Sequence, residues 1–148
     1  MANTEFQKND IEQNVRDIWL PFRYPALSPF TKRYLLTDNG ASYECDAVSN
    51  NTEYAGMITT ASSKTRSGNT ATGSVKKVRL DAQQLSQVQG PTKLEIMCTE
   101  SSMQSYLRSA QSRGRIPTVS QIDLPDDLRS LLEAAKRTAS DEIEYQNG

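Results

Sequence analysis

YLLTDNGASYECDAVSNNTEYAGMITTA, residues 34–61, reads as three short strands joined by two tight turns. The first strand spans Lys32 to Thr37, and Asp38-Asn39-Gly40 then supplies the residues that tolerate positive φ in a hairpin turn. The second strand runs from Ser42 to Ser49, Asn50-Asn51-Thr52 turns the chain again, and the third runs from about Glu53 to Ala61. Three successive strands with tight connections predict an antiparallel meander. At its centre, Tyr43-Glu44-Cys45-Asp46-Ala47-Val48 is an apolar strand interrupted by two carboxylates. Glu44 and Asp46 are two residues apart, so a strand sends both to one face. Asp46 is followed by Ala47 and Val48, and a carboxylate buried there is costly unless it is paired or binds a metal.

The chain has 148 residues, enough for one domain with its own core and too few for two. Residues 1–148 are therefore read as a single domain, with 1–9 and 141–148 as flexible ends. A net charge of −1 supplies no global basic field that would argue for nucleic acid. Met1 to Asp10 is polar, so no signal peptide is expected, and no run is apolar enough to span a membrane. Cys45 and Cys98 both sit in apolar strand contexts and read as buried, reduced thiols of a cytoplasmic protein. With no histidine and no Cys-x-x-Cys, Ser-His-Asp, Cys-His and HNH chemistries are excluded and a zinc site is not expected.

Around the meander, apolar spacing alternates between helical and strand periods. Asp10 is placed to cap a helix from about Ile11 to Leu20, with Ile11, Val15, Ile18 and Trp19 as its stripe and Pro21 as its stop. Leu20 to Phe30 interleaves Pro21, Pro25 and Pro29 with Phe22, Tyr24 and Phe30, a stiff connection whose aromatics pack down. Ser62 to Ser74 is a polar, flexible loop, and Ser74 is placed to cap a helix carrying Val75, Val78, Ala82 and Leu85 inward. Lys93 to Cys98 reads as a central strand, and a helix from Thr99 or Ser101 to Gly114 carries Met103, Tyr106 and Leu107. Ile116 to Leu124 is the fifth strand. Pro125, Asp126 and Asp127 open a last helix with Leu128, Leu131, Leu132 and Ala135 inward, before a polar tail from Asp141 to Gly148. The fold class is α/β, a mixed five-stranded sheet with element order α-β-β-β-α-β-α-β-α.

A leading helix, a three-stranded meander, then a helix and a strand, with an aspartate in the second strand, resembles the core of the PD-(D/E)xK, or restriction-endonuclease-like, superfamily. The resemblance covers Asp10 to about Ile122. It implies that Asp46 fills the aspartate position and that an acid and a lysine should follow on the third strand, where this chain carries Met57 and Thr59. It also implies an acidic residue on the first helix, which by position is Glu12; Glu12 reads equally as a first-turn glutamate favoured by the helix dipole. Methionine offers magnesium no oxygen and threonine offers no positive charge. Lys64 lies five residues beyond Thr59 and reaches the site only if the chain turns back.

A second constellation is basic. Between Tyr54 and Leu80 there is no acidic residue, while Lys64, Arg66, Lys76, Lys77 and Arg79 are present. A basic Gly/Ser-rich loop feeding a helix start is suited to phosphates, and reads equally as a solvated surface. The leading expectation is a non-catalytic nuclease-like protein, a nucleic-acid-binding or assembly subunit with no cofactor, contacting DNA through that basic segment. The alternative is an active magnesium-dependent nuclease with a rearranged site of Glu12, Glu44, Asp46 and Lys64, in which Glu12 and Asp46 hold the metal. A third reading is a protein-interaction module, for example a homo-oligomer that covers a free strand edge.

Overall fold

The computed structural model describes residues 4–65, 67–109 and 117–147. The meander forms as β1 (Phe30–Leu36), β2 (Ser42–Ser49) and β3 (Tyr54–Thr59), each antiparallel to the next. Gly40 takes φ +85° in the first turn, and Thr52 takes φ +63° in the second, where a β-branched residue is an uncommon occupant. Helical crossovers then lay β4 (Lys93–Cys98) parallel to β3 and β5 (Thr118–Gln121) parallel to β4. One mixed sheet results, in the order β1-β2-β3-β4-β5. Its inner strands β3 and β4 are almost wholly buried, as near-continuous apolar runs covered on both faces should be.

Four helices cover the two faces. On one side, Val75, Val78 and Leu85 of the helix α3 (Thr72–Leu85) and Met103 and Leu107 of α4 (Ser101–Ser109) pack on Cys45, Val48, Ala55, Met57, Ile96 and Val119. On the other, Ile11 and Val15 from the N-terminal helical segment and Leu132 of α5 (Asp126–Asn147) meet Ala47, Tyr54, Ile58 and Met97. Asp46 and Met57 thus stand on adjacent strands, with helices over both faces. Among the described residues no helix is long and apolar enough to cross a membrane.

Several element ends differ from the sequence reading. The first helix, α1, spans Thr4–Asn14, so Asp10 lies inside it and does not cap it, and Glu12 belongs to its last turn. The helical path continues through a widened π turn at Val15–Trp19, in which Leu20 N–H reaches back to Val15 C=O, into α2 (Leu20–Arg23). Pro21 therefore follows the π turn in the first turn of α2, and it does not stop the chain. Helix α3 starts at Thr72 after Ala71, with no side-chain cap bond, so Ser74 is not its cap. The loop before it is folded on itself: Ala71 N–H bonds Ser63 C=O (2.8 Å) and Thr65 N–H bonds Asn69 C=O (2.7 Å). Its base is pinned by Ser63, whose Oγ donates to Ser102 C=O (3.0 Å). In α5, Leu131 is 45% exposed and so is not part of the inner face, and the helix continues through residues 141–147, read from sequence as a tail.

Candidate functional site

Two irregularities of backbone pairing shape the surroundings of Asp46. Between β1 and β2 the register passes from Thr31↔Val48 to Arg33↔Cys45, so Lys32 alone opposes both Asp46 and Ala47. That is a β-bulge, which bends the strand and re-aims its side chains. Cys45 and Val48 accordingly pack under α3, while Ala47 packs on the opposite face. Between β2 and β3 the ladder consists of Ala47↔Gly56 and Val48↔Ala55. Past it the carboxylate takes over the pairing, and Asp46 Oδ2 accepts the Ile58 N–H at 2.7 Å. On the other side, Arg16 Nη1 donates to the Asp46 C=O at 3.1 Å, tying the π turn to the bulge.

Glu12 reaches this point from the last turn of α1. It is 3% exposed and hydrogen-bonds Asp46, so the structure brings the two carboxyl groups expected from sequence into contact. A buried glutamate touching a second carboxyl is not a solvated first-turn residue, and the dipole reading of Glu12 falls away. Burial pushes Asp46 up to about 7, against the Ile58 N–H, and the charge and hydrogen bond of Glu12 add to the rise. Lys32 pulls the other way. Lys32 also pairs with Glu44 at 3.5 Å, both side chains being 40% exposed, so Glu44 is engaged by a cation at the rim.

Met57 does not stand at this site. It packs among Cys45, Val75 and Ile96 under α3, and the β3 residue beside the Asp46 carboxylate is Ile58. The bulge and the short ladder thus bring the Ile58 amide, one residue beyond Met57, to the Asp46 carboxylate. Thr59 is buried, its Oγ1 accepting the Ala61 N–H at 3.2 Å. Lys64 is exposed on the folded loop, in an isolated bridge with Thr70, while the charges acting on Asp46 are those of Glu12 and Lys32. Among the described residues no group of three or more acidic, Cys or His side chains is arranged to hold a metal ion.

The basic residues lie on the surface reached from the same end of β3. Lys64, Lys76, Lys77 and Arg79 are exposed, and Val75 and Val78 beneath them anchor the helix. Arg66 lies outside the described residues. The loop carrying Lys64 leaves β3 directly after Thr59, one residue past the Ile58 amide that binds Asp46, so the carboxyl pair and the basic loop share one end of that strand.

A buried charge cluster was missed from sequence. Glu95, in the middle of β4, is fully buried and accepts from Tyr54 Oη (2.6 Å), Arg23 Nη1 (3.0 Å), Ser120 Oγ (2.5 Å) and Tyr24 Oη (3.4 Å). Arg23 in turn lies over the rings of Trp19 (4.3 Å) and Tyr24 (4.9 Å). Burial beside Glu95 raises the Tyr54 hydroxyl well above its ordinary value, keeping it a donor. With four donors on one carboxylate this is a clamp that fastens the proline-rich segment to the sheet. The signal available in sequence was a glutamate inside an otherwise apolar central strand, which must be paired if buried. Gly56 makes room for it: a Cβ there would lie 2.6 Å from Met97 Cε and 2.8 Å from Tyr54 Oη.

Compared with known proteins, the chain matches no family model, no curated protein and no solved structure.

Proposed function

We propose that this chain is a nuclease-like domain that binds nucleic acid and does not cleave it. The observation that carries the proposal is Ile58 beside the Asp46 carboxylate, where a cleaving site of the restriction-endonuclease-like kind needs a third oxygen ligand, with no lysine following on the strand. The order of meander, helix and parallel strand supports the architectural resemblance, and the convergence of Glu12 with Asp46 supports the placement of the remnant site. Two carboxylates fall within the number that magnesium takes from a protein, so Glu12 and Asp46 are the residues that would hold the ion. The ion would supply Lewis-acid polarisation of a phosphate; the chain supplies neither the third acid nor the β3 cation that cleavage requires.

Lys64, Lys76, Lys77 and Arg79 supply the phosphate contacts. If they neutralise about three phosphates, log affinity falls against log salt with a slope of about −3 on duplex DNA. The test is fluorescence anisotropy with a labelled duplex across a salt series, for the intact chain and for Lys76→Ala/Lys77→Ala. The double variant flattens the slope by about two units and stays folded, because both side chains are exposed. A slope unchanged by the variant refutes DNA contact through α3.

One observation favours a second reading, an active nuclease with a rearranged site. Lys32 on β1 acts electrostatically on Asp46, and it is a nearer stand-in for the missing lysine than Lys64. Magnesium- or manganese-dependent cleavage that both Asp46→Ala and Lys32→Ala abolish would establish that reading and overturn the first.

A further inference from the structure

We propose that the groove between α1 and the start of α5 is a docking site for a cationic, aliphatic-bearing segment of a partner protein. The groove encloses about 490 Å³ and lies between the helical segment of residues 10–18 and the Pro125–Leu128 turn. Its apolar walls are Ile18, Pro125 and Leu128, and its acidic lining is Asp10, Asp17 and Asp127. The described residues lining it include no Lys or Arg.

Ile18 is 63% exposed, and Phe22, one turn further along, is 88% exposed. The wide turn explains why: Val15 and Leu20 are fully buried, and the π turn between them rotates Ile18 out of the stripe to which ordinary helical spacing assigns it. Ile18 is continuous with the apolar lining of Pro125 and Leu128, and contiguous exposed apolar surface, unlike a single exposed side chain, marks an interaction site.

Charge selects the occupant. Phosphate-bearing ligands and anionic lipid surfaces are repelled by three carboxylates with no Lys or Arg among the described lining residues. A second copy docked symmetrically would set those carboxylates against themselves. A partner segment with Lys or Arg flanking a Leu or Ile satisfies both the walls and the rim. The groove lies on the α1/α5 side of the sheet, and the basic α3 covers the opposite face, so a bound duplex and a docked segment do not compete.

The probe is a fluorescein-labelled amphipathic peptide of about 14 residues built from Lys and Leu at helical spacing, with a Glu/Leu counterpart as control. Binding is read by anisotropy to the intact chain, Ile18→Ser/Phe22→Ser, Asp17→Asn/Asp127→Asn and Lys76→Ala/Lys77→Ala. A contact this small gives micromolar affinity. The apolar double variant weakens it about tenfold at low and high salt. The carboxylate double variant weakens it about fivefold at low salt only. The Lys76/Lys77 variant leaves peptide binding unchanged, which separates this site from the nucleic-acid reading. Binding no weaker in the apolar variant, or equal binding of the Glu/Leu peptide, overturns the proposal. So does self-association in sedimentation that Ile18→Ser/Phe22→Ser abolishes, since the occupant is then a second copy.

Discussion

Replacing Asp46 by Asn should stabilise the protein more at neutral pH than in mild acid. In the folded chain, burial first and Glu12 second lift Asp46 from 3.8 to about 7, so the folded state keeps a proton that the unfolded chain releases. Where the folded state binds more protons, stability falls as pH rises. For Asp46 the fall starts near pH 4 and is complete above about pH 7. The full shift corresponds to about 4 kcal/mol, of which about 1.7 kcal/mol is already lost by pH 5 and about 2.7 kcal/mol falls between pH 5 and pH 8. Asn keeps the acceptor for the Ile58 N–H and offers N–H donors to the Glu12 carboxylate, with no proton to lose. Urea unfolding of both proteins at pH 5, 6, 7 and 8 measures the difference directly, because all other titrating groups are common to both. The advantage of Asp46→Asn over the native chain should grow by about 2–3 kcal/mol between pH 5 and pH 8, a relative rise in Tm of roughly 5–10 °C. Parallel pH profiles, or a variant less stable at pH 8, would refute a buried carboxyl pair at this position.

Three further outcomes follow from the packing around the sheet. Gly56→Ala should cost about 1–3 kcal/mol in urea unfolding, because its Cβ meets Met97 Cε at 2.6 Å and the Tyr54 hydroxyl at 2.8 Å. Glu95→Gln should cost about 3 kcal/mol, because Arg23 loses its counter-charge and three hydroxyl donors are left one acceptor short; thermal melts at pH 7 check it. Burial alone would raise Glu100, but the hydrogen bonds and charges of Arg129 (2.7 Å) and Lys136 (3.0 Å) outweigh it and hold it below its ordinary value. Its contribution, about 1 kcal/mol at partners about a third exposed, is therefore present above pH 4.5 and lost as pH falls through the lowered value. Glu100→Gln should narrow to the native stability in titrations taken toward pH 3.

Much of the architecture is local chemistry written along the chain. Asp38-Asn39-Gly40 dictates a turn because few residues accept positive φ, and the period-2 and period-3.6 spacing of apolar residues names the strands and helices on either side of it. The same periodicity assigns Val75, Val78 and Leu85 to a buried stripe, and the pairing of Glu12 with Asp46 follows once a first helix is laid across the second strand. What spacing does not carry is a break in its own period. The bulge opposite Lys32 turns consecutive residues Asp46 and Ala47 to one face, where alternation sends them to opposite faces, and the π turn rotates Ile18 out of its stripe. Each departure is held by contacts remote in sequence: Ile58 N–H on Asp46, Arg16 on the Asp46 carbonyl, and Arg23 on Glu95. Residue type and spacing therefore determine which elements form. Whether Met57 or Ile58 faces the carboxyl pair, and whether Glu95 is clamped or exposed, is decided only when the helices close on the sheet, because the compensating donors come from other elements.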